Sequence, residues 1–171
     1  VLGYLVEVLS GMELEDYFKK YIFTPLEMND TSFSCPKNKL DRLCSLYEHD
    51  PVGIPKLLEI PFLNTRMASG GGGLFSTMHD YHNFCHMLLH DGEFEGKRII
   101  GRKTLELMTT NHLPDNQDLT EMSESAFSET PYAGVGFGLG FSVMLDPAKS
   151  QSVSDIGEFG WGGAASTVFM I

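Results

Sequence analysis

The sequence predicts an α+β fold, helical first and stranded last. Three observations predict it. Apolar residues recur at helical spacing in two early segments. From Gly134 to Leu145 the apolar period changes to two. From Gly157 a glycine-rich stretch runs into the apolar, β-branched end Thr167-Val168-Phe169-Met170-Ile171, as a turn feeding a buried strand does. The chain has 171 residues, enough to bury one core. With 42% hydrophobic and 20% charged residues it reads as an ordinary soluble protein. One domain is expected: residues 1 to about 133 as helices and loops, about 134 to 171 as strands.

The first helix places Leu2, Leu5, Val6 and Leu9 on one face, and Ser10-Gly11 ends it. The second places Leu14, Tyr17, Phe18 and Tyr21 together. Glu13, Glu15 and Asp16 sit at its start and Lys19 and Lys20 at its end, complementing the helix dipole. Pro25 stops it. Helical periodicity from the first residue, in a chain that starts without Met, reads as a fold entered midway with the true N-terminus missing.

Gly70 to Gly73 precedes another helix. No Gly-Lys-Ser/Thr follows and no G-x-G-x-x-G can be drawn, so a phosphate cradle is excluded and a tight crossing is expected. The helix from about Met78 to His90 starts at Thr77, with Asp80 in a capping-box position, and ends at Gly92. Tyr81, Phe84, Cys85 and Leu88 form its expected core stripe. His79, His82, His86 and His90 fall on the opposite side, read as a solvated face and not a metal site. A turn at Asp91 to Lys97 and a helix near Lys103 to Thr110 follow.

No Lys or Arg occurs from Leu105 to Ala148, while Glu106, Asp115, Asp118, Glu121, Glu124, Glu129 and Asp146 are acidic. Leu113 to Tyr132 is expected to be a long, mobile, solvated loop whose acidic rim disfavours anionic substrates. In Gly134 to Leu145, Val135, Phe137, Leu139, Phe141, Val143 and Leu145 alternate with small residues and Met144. This reads as a single strand whose nearly bare face lets another element pack unusually close.

The net charge of −11 argues against nucleic acid and anionic membranes as partners. No apolar run approaches the ~20 residues of a membrane span. Cys35, Cys44 and Cys85 are odd in number and lack C-x-x-C spacing, which supports neither a disulfide framework nor a metal cluster.

Several blocks in order resemble the serine β-lactamase-like superfamily, closest to the family VIII carboxylesterases of β-lactamase fold. They are Gly3 to Gly11, Ile22 to Phe33, Ser69 to Thr77 with Asp80, Tyr81 and Phe84, Thr104 to Leu113, Gly136 to Phe141, and Phe159-Gly160-Trp161-Gly162-Gly163. The resemblance implies a β-lactamase/transpeptidase-like fold, here incomplete: a helical middle lobe plus late strands of the antiparallel sheet. It implies acyl transfer by a Ser in S-x-x-K, assisted by Lys and by a Tyr in Y-x-N, with a third motif lining the site. Trp161-Gly162-Gly163 matches that third motif, and Ala164 would donate a backbone N–H to the oxyanion. No cofactor is implied.

Literal matches to the first two motifs exist at Ser34-Cys35-Pro36-Lys37 and Tyr81-His82-Asn83. Both are set aside. Lys37-Asn38-Lys39 is a surface-like sequence, Tyr81 belongs to a helix stripe, and the family's S-x-x-K and Tyr precede the segment that residues 1–11 resemble. The chain is therefore read as a partial domain without nucleophile, Lys or Tyr. Its expected parent is a serine esterase acting on small neutral esters through an acyl-enzyme, since Trp161 offers no cation for a substrate carboxylate. The alternatives are a β-lactamase or D-amino-acid peptidase of the same superfamily, or a non-catalytic binding module. The expected partners are an ester or lactam substrate and the missing N- and C-terminal segments of the same protein. The compartment stays open between cytoplasm and periplasm.

Overall fold

The computed structural model describes residues 1–48, 53–59, 67–123, 132–163 and 165–171. It divides into two compact units, Val1–Phe84 and Cys85–Ile171.

The first unit opens with α1 (Leu2–Ser10), closed by Gly11 in the left-handed conformation at φ 68°. Its N–H reaches the carbonyl of Glu7 at 2.8 Å, the expected glycine stop. Gly3 is the buried residue of this helix, and a Cβ there would come within 3.0 Å of the Gly70 nitrogen. The crossing expected from the glycine run is thus present, against α1.

Helix α2 (Leu14–Phe18) continues into a π-helical turn, Lys19–Phe23. One extra residue rotates the following side chains by about 100°. Tyr21, expected inside, is exposed, and Phe23 is buried in its place. Phe23 joins Leu14, Leu26, Met28 and Phe33 in the core, and Phe18 packs against Phe23 and Phe33 with ring centroids 5.9 and 5.8 Å apart. Strands β1 (Leu46–Glu48) and β2 (Lys56–Leu58) of this unit pair antiparallel.

Helix α3 (Met78–Leu89) contains the division between the units. Thr77 Oγ1 caps it by accepting from the Asp80 N–H at 3.2 Å. The reciprocal half of the expected capping box is spent elsewhere. Asp80 is buried, and its carboxylate accepts from the Asp30 N–H at 2.7 Å and from Thr31 Oγ1 at 2.8 Å. Asn83, also buried, donates to the Leu26 carbonyl at 3.0 Å. The inward face in this unit is therefore Asp80 and Asn83. Tyr81, expected in the core, is exposed. Periodicity ranked positions by apolarity, whereas the loop from Leu26 to Thr31 needed hydrogen-bond partners.

In the second unit Gly92 ends α3, its N–H meeting the Met87 carbonyl at 2.9 Å. A tight hairpin follows, β3 (Glu93–Phe94) and β4 (Lys97–Arg98), then α4 (Arg102–Met108). The segment expected as one solvated loop is partly built. It holds a 3₁₀ turn, Pro114–Asn116, and α5 (Leu119–Met122). Residues 124–131 of that expectation, including Glu124 and Glu129, lie outside the described residues.

Asp118, expected in solvent, is buried. It caps α5 in a reciprocal capping box with Glu121 and accepts from the Gly134 N–H at 2.8 Å. Burial alone would raise its carboxyl. The N–H groups of Gly134, Glu121 and Thr120, with Lys149 3.7 Å away, outweigh burial and hold it below its ordinary range.

The span read as one strand is a hairpin of β5 (Val135–Phe137) and β6 (Ser142–Met144). The chain reverses at Gly140, φ 101°, and the Gly138 N–H bonds the Phe141 carbonyl at 2.8 Å. Alternation alone did not reveal the reversal, because glycine occupies both turn and strand positions. The close approach was anticipated correctly. A Cβ on Gly138 would lie 2.0 Å from the Met108 carbonyl oxygen, and one on Gly136 would lie 2.5 Å from the Asn111 side chain.

After α6 (Pro147–Ser150), β7 (Phe159–Gly162) and β8 (Val168–Met170) complete an antiparallel sheet in the order β5-β6-β7-β8. This corrects the reading of the stretch from Gly157 as a glycine-rich turn feeding one buried strand, since part of that stretch is itself strand β7. Gly162 pairs with Val168 across a hairpin, and β8 lies at the sheet's edge with Val168 and Met170 exposed.

Two tests follow. Gly138→Ala should destabilise by about 1–3 kcal/mol, the usual cost of overpacking. Gly71→Ala, whose Cβ would meet nothing nearer than 3.9 Å, should be close to neutral; urea unfolding of both variants checks this. Because Asp118 is held low, its contribution is full above the unfolded carboxyl's pKa of about 3.9. It is lost as pH falls through the lower folded value. Asp118→Asn should therefore weaken the acid-side fall in the urea midpoint.

Candidate functional site

Trp161 and Gly162 stand on β7, and Gly163 opens the hairpin into β8. Phe159 and Ile171 exchange both backbone hydrogen bonds at 2.9 Å, and the Gly163 N–H donates to Thr167 at 2.7 Å. Antiparallel alternation then turns the N–H groups of Phe159, Trp161 and Gly163 toward β8, and those of Gly160 and Gly162 toward β6. The Gly163 N–H is thus spent within the hairpin. Ser166, at φ 58°, donates to the Gly163 carbonyl at 3.0 Å and closes the turn. Ala164 lies outside the described residues.

The Trp161 indole is half-buried and meets Phe137 edge-on, ring centroids 5.2 Å apart. Gly160 permits the tight strand pairing beneath it, since a Cβ there would lie 2.0 Å from the Phe169 carbonyl oxygen. The ring cluster of Phe141 with Phe159 and Phe169 stiffens the same strands. Ser142 Oγ donates to the Gly160 carbonyl at 2.8 Å, fixing β6 to β7 one step before Trp161. A cavity of about 490 Å³ adjoins the motif, lined by Val135, Met144, Val168 and Met170 together with Ser150, Ser152 and Glu158. Strand β7 therefore offers an apolar aromatic face, bare glycine backbone and no cationic side chain of its own.

The two literal motif matches fall in the first unit. Ser34 is exposed on a bend, and Lys37 begins a separate 3₁₀ turn, Lys37–Arg42. The pair does not share one turn of a helix, the arrangement that a Ser–Lys nucleophile needs. Ser34 borders a cavity of about 300 Å³ with Cys35, Lys39 and Arg42. Arg42 and Lys39 both bind the Asp30 carboxylate and hold it down at about 2, so they serve as its counter-ions. Asn83 of the Tyr81-His82-Asn83 match is committed to the Leu26 carbonyl.

His79, His82 and His90 are exposed and His86 is half-buried, so the stripe has the solvent-facing character expected for most of its length. His86 and His90 stack with centroids 4.0 Å apart, and His90 Nδ1 lies 2.8 Å from the His86 carbonyl. Among the described residues no three His, Cys, Asp or Glu side chains are grouped to hold a metal ion, and no helix is long and apolar enough to cross a membrane. The three cysteines are free, and burial pushes the Cys85 thiol up, away from thiolate chemistry.

Sequence reasoning missed the groups that hold this framework. Asn111 Oδ1 accepts from the Phe137 N–H at 3.0 Å and from the Leu113 N–H at 3.2 Å, while its Nδ2 donates to the Gln117 carbonyl at 3.0 Å. Asp118 and Asp80 act likewise. Their signal was weak: a polar residue flanked by apolar helix or strand segments, with no motif around it.

Comparison with known proteins places the chain. A family model described as Beta-lactamase matches residues 1–171. Protein Rv1367c of Mycobacterium tuberculosis (strain ATCC 25618 / H37Rv) is 34% identical over 179 residues, covering 98% of this chain and 42% of its own length. The chain thus spans less than half of the curated relative it matches. Among solved structures, a LovD6 mutant of simvastatin synthase (LovD) from Aspergillus terreus superposes with TM-score 0.82 at 24% identity, covering 99% of this chain and 44% of that one. EstCE1, a hydrolase with promiscuous acyltransferase activity, superposes with TM-score 0.77 at 23% identity, covering 99% and 45%. The fold is the β-lactamase/transpeptidase-like one, partial in extent, and the chain belongs to the Beta-lactamase family.

Proposed function

We propose that this chain is part of a serine hydrolase that cleaves small neutral esters through an acyl-enzyme, and that Trp161-Gly162-Gly163-Ala164 forms the wall and part of the oxyanion site. The observation that carries the reading is the motif's composition and setting. An aromatic residue and bare glycine backbone end a strand beside a cavity lined by apolar side chains, serines and Glu158, with no cation among the described lining residues. A neutral acyl or alcohol group suits such a wall. A substrate carboxylate would need a cation there, and Trp161 supplies only an indole N–H.

In this reading the attacking Ser, its Lys and the catalytic Tyr come from the remainder of a longer polypeptide. By the family resemblance the Ala164 N–H is assigned to the developing oxyanion, while the Gly163 N–H is occupied by Thr167. Preorganised donors of that kind act where charge grows in the transition state. EstCE1, by its description a hydrolase with acyltransferase activity, supports acyl chemistry on this fold by analogy. Lactam or D-amino-acid peptide hydrolysis is the second reading in the same family.

The 171-residue chain alone should hydrolyse p-nitrophenyl acetate and butyrate only at an unsaturable background rate. The parent enzyme should show a nitrophenol burst, and Ala164→Pro there should cut kcat on the order of 10²–10³, the scale of one lost oxyanion donor. Saturable burst turnover by residues 1–171, abolished by a single Ser or Tyr substitution, would place the active site inside this chain. Turnover of nitrocefin exceeding that of the esters would favour the lactam reading.

Fluorophosphonate treatment should leave Ser34 unmodified, given its separation from the helical turn that carries Lys37. A covalent adduct at Ser34 that disappears in Ser34→Ala would restore Ser34-Cys35-Pro36-Lys37 as the nucleophile motif.

A further inference from the structure

The first unit holds a cavity of about 300 Å³ that the proposed hydrolysis does not use. Three cations, Lys19, Lys39 and Arg42, and two carboxylates, Asp30 and Glu15, line it. One wall is fixed from behind. Asp80, 3% exposed, accepts from the Asp30 N–H at 2.7 Å and from Thr31 Oγ1 at 2.8 Å, which holds the loop that carries Asp30. The carboxylates are committed. Asp30 accepts from Lys39 Nζ and, at 2.8 Å, from Arg42 Nη2. Glu15 Oε1 accepts from the Phe33 N–H at 3.3 Å. The donors are left open. Lys19 Nζ, Thr24 Oγ1 and Ser34 Oγ make no hydrogen bond or ion pair with a described residue. Arg42 commits its Nη2 to Asp30, and a guanidinium carries five N–H groups.

We infer that this cavity binds a small oxyanion, a carboxylate or phosphate group, on Lys19, Arg42, Thr24 and Ser34. The open donors select that class. Where the carboxylates are spent and the donors are free, the ligand that fits is an acceptor. Hydrogen bonds from cationic N–H groups to anionic oxygen are also the strong ones. The planar guanidinium of Arg42 matches carboxylate and phosphate oxygens, and it already grips one carboxylate, that of Asp30. The three cations outnumber the two carboxylates, so the lining carries a positive excess in a chain of net charge −11. The four groups come from separate stretches. Lys19 opens the π-helical turn and Thr24 follows it, Ser34 stands on a bend, and Arg42 ends the 3₁₀ turn Lys37–Arg42. A bound anion ties these stretches together, and a ligand held by the folded state alone stabilises it. The site lies within the first unit and does not depend on which reaction the protein catalyses.

Calorimetric titration of the full-length polypeptide with sodium phosphate and with sodium succinate, at an ionic strength held constant with NaCl, tests the site. One of the two anions or both should bind saturably and raise the thermal midpoint. The tighter binder then tells a phosphoryl ligand from a carboxylate one. Lys19→Gln should weaken that binding about ten-fold or more, the scale of one lost hydrogen bond to a charged group. Lys20→Gln is the control. It removes the same charge from the next side chain, which is exposed, lies outside the cavity lining and sits 4.9 Å from the Tyr21 ring centroid. It should leave the affinity unchanged. Both substitutions replace exposed side chains, and circular dichroism checks that the variants fold. Neither saturable heat nor a raised midpoint with either anion would overturn the inference. Equal weakening by Lys19→Gln and Lys20→Gln would also overturn it, since that marks diffuse charge attraction and not a site. Ester turnover does not enter these readouts, so failure of the hydrolase reading and failure of the anion site are separately visible.

Discussion

The second unit depends on a backbone contact that only glycine permits. Gly138 lies so close to the Met108 carbonyl that a methyl group would overlap it. Around that contact the Leu139 N–H bonds Met108 at 2.8 Å and the His112 N–H bonds the Phe137 carbonyl at 2.8 Å. The segment after α4 thereby joins the edge of β5, and Asn111 satisfies what the strand leaves open. A buried N–H without a partner would cost about 1–3 kcal/mol. The arrangement avoids that cost on an edge that side chains would otherwise hold apart.

The register of the sheet follows from this. Val135, Gly136 and Phe137 pair with Met144, Val143 and Ser142, and Ser142 and Val143 pair in turn with Gly160 and Phe159. Each strand inherits its position from the one before, so Trp161 is placed by a chain of pairings that begins at Asn111 and Met108. Asp118 pins the entry to β5 through the Gly134 N–H, and Lys149 of α6 reaches the same carboxylate. The first unit has an equivalent in Asp80, which gathers the Asp30 and Thr31 donors. In both units a buried carboxylate organises a loop whose donors the strands and helices leave over, and charge-assisted bonds of this kind are the strong ones.

Membership of the Beta-lactamase family and the partial extent of the chain were legible in the order of short blocks, from Gly3 to Gly11 through Phe159 to Gly163. No single block was decisive. Elements with a strong period or a clear stop were also legible, such as α1 with Gly11 and α3 between Thr77 and Gly92. Glycine positions announced close packing correctly, because the absence of a side chain has one spatial meaning wherever the chain is crowded. The same glycines concealed the reversals at Gly140 and after Gly162, since glycine suits a turn and a tight strand equally.

The sequence by itself determined the helices with clear periodicity, the location of strand-forming residues and the small-residue surfaces against which other backbone packs. These are local properties, set by spacing and side-chain volume. Tertiary structure alone decided which polar groups go inside. Asp80, Asn83 and Asp118 are buried because neighbouring loops present N–H groups or carbonyls that need partners, and those neighbours are up to 57 residues away in the chain. It likewise decided that Phe23, and not Tyr21, enters the core, through one π-helical turn, and that Val168 and Met170 lie on an edge strand. Such choices depend on which donors and surfaces meet in space, and local periodicity carries no record of them.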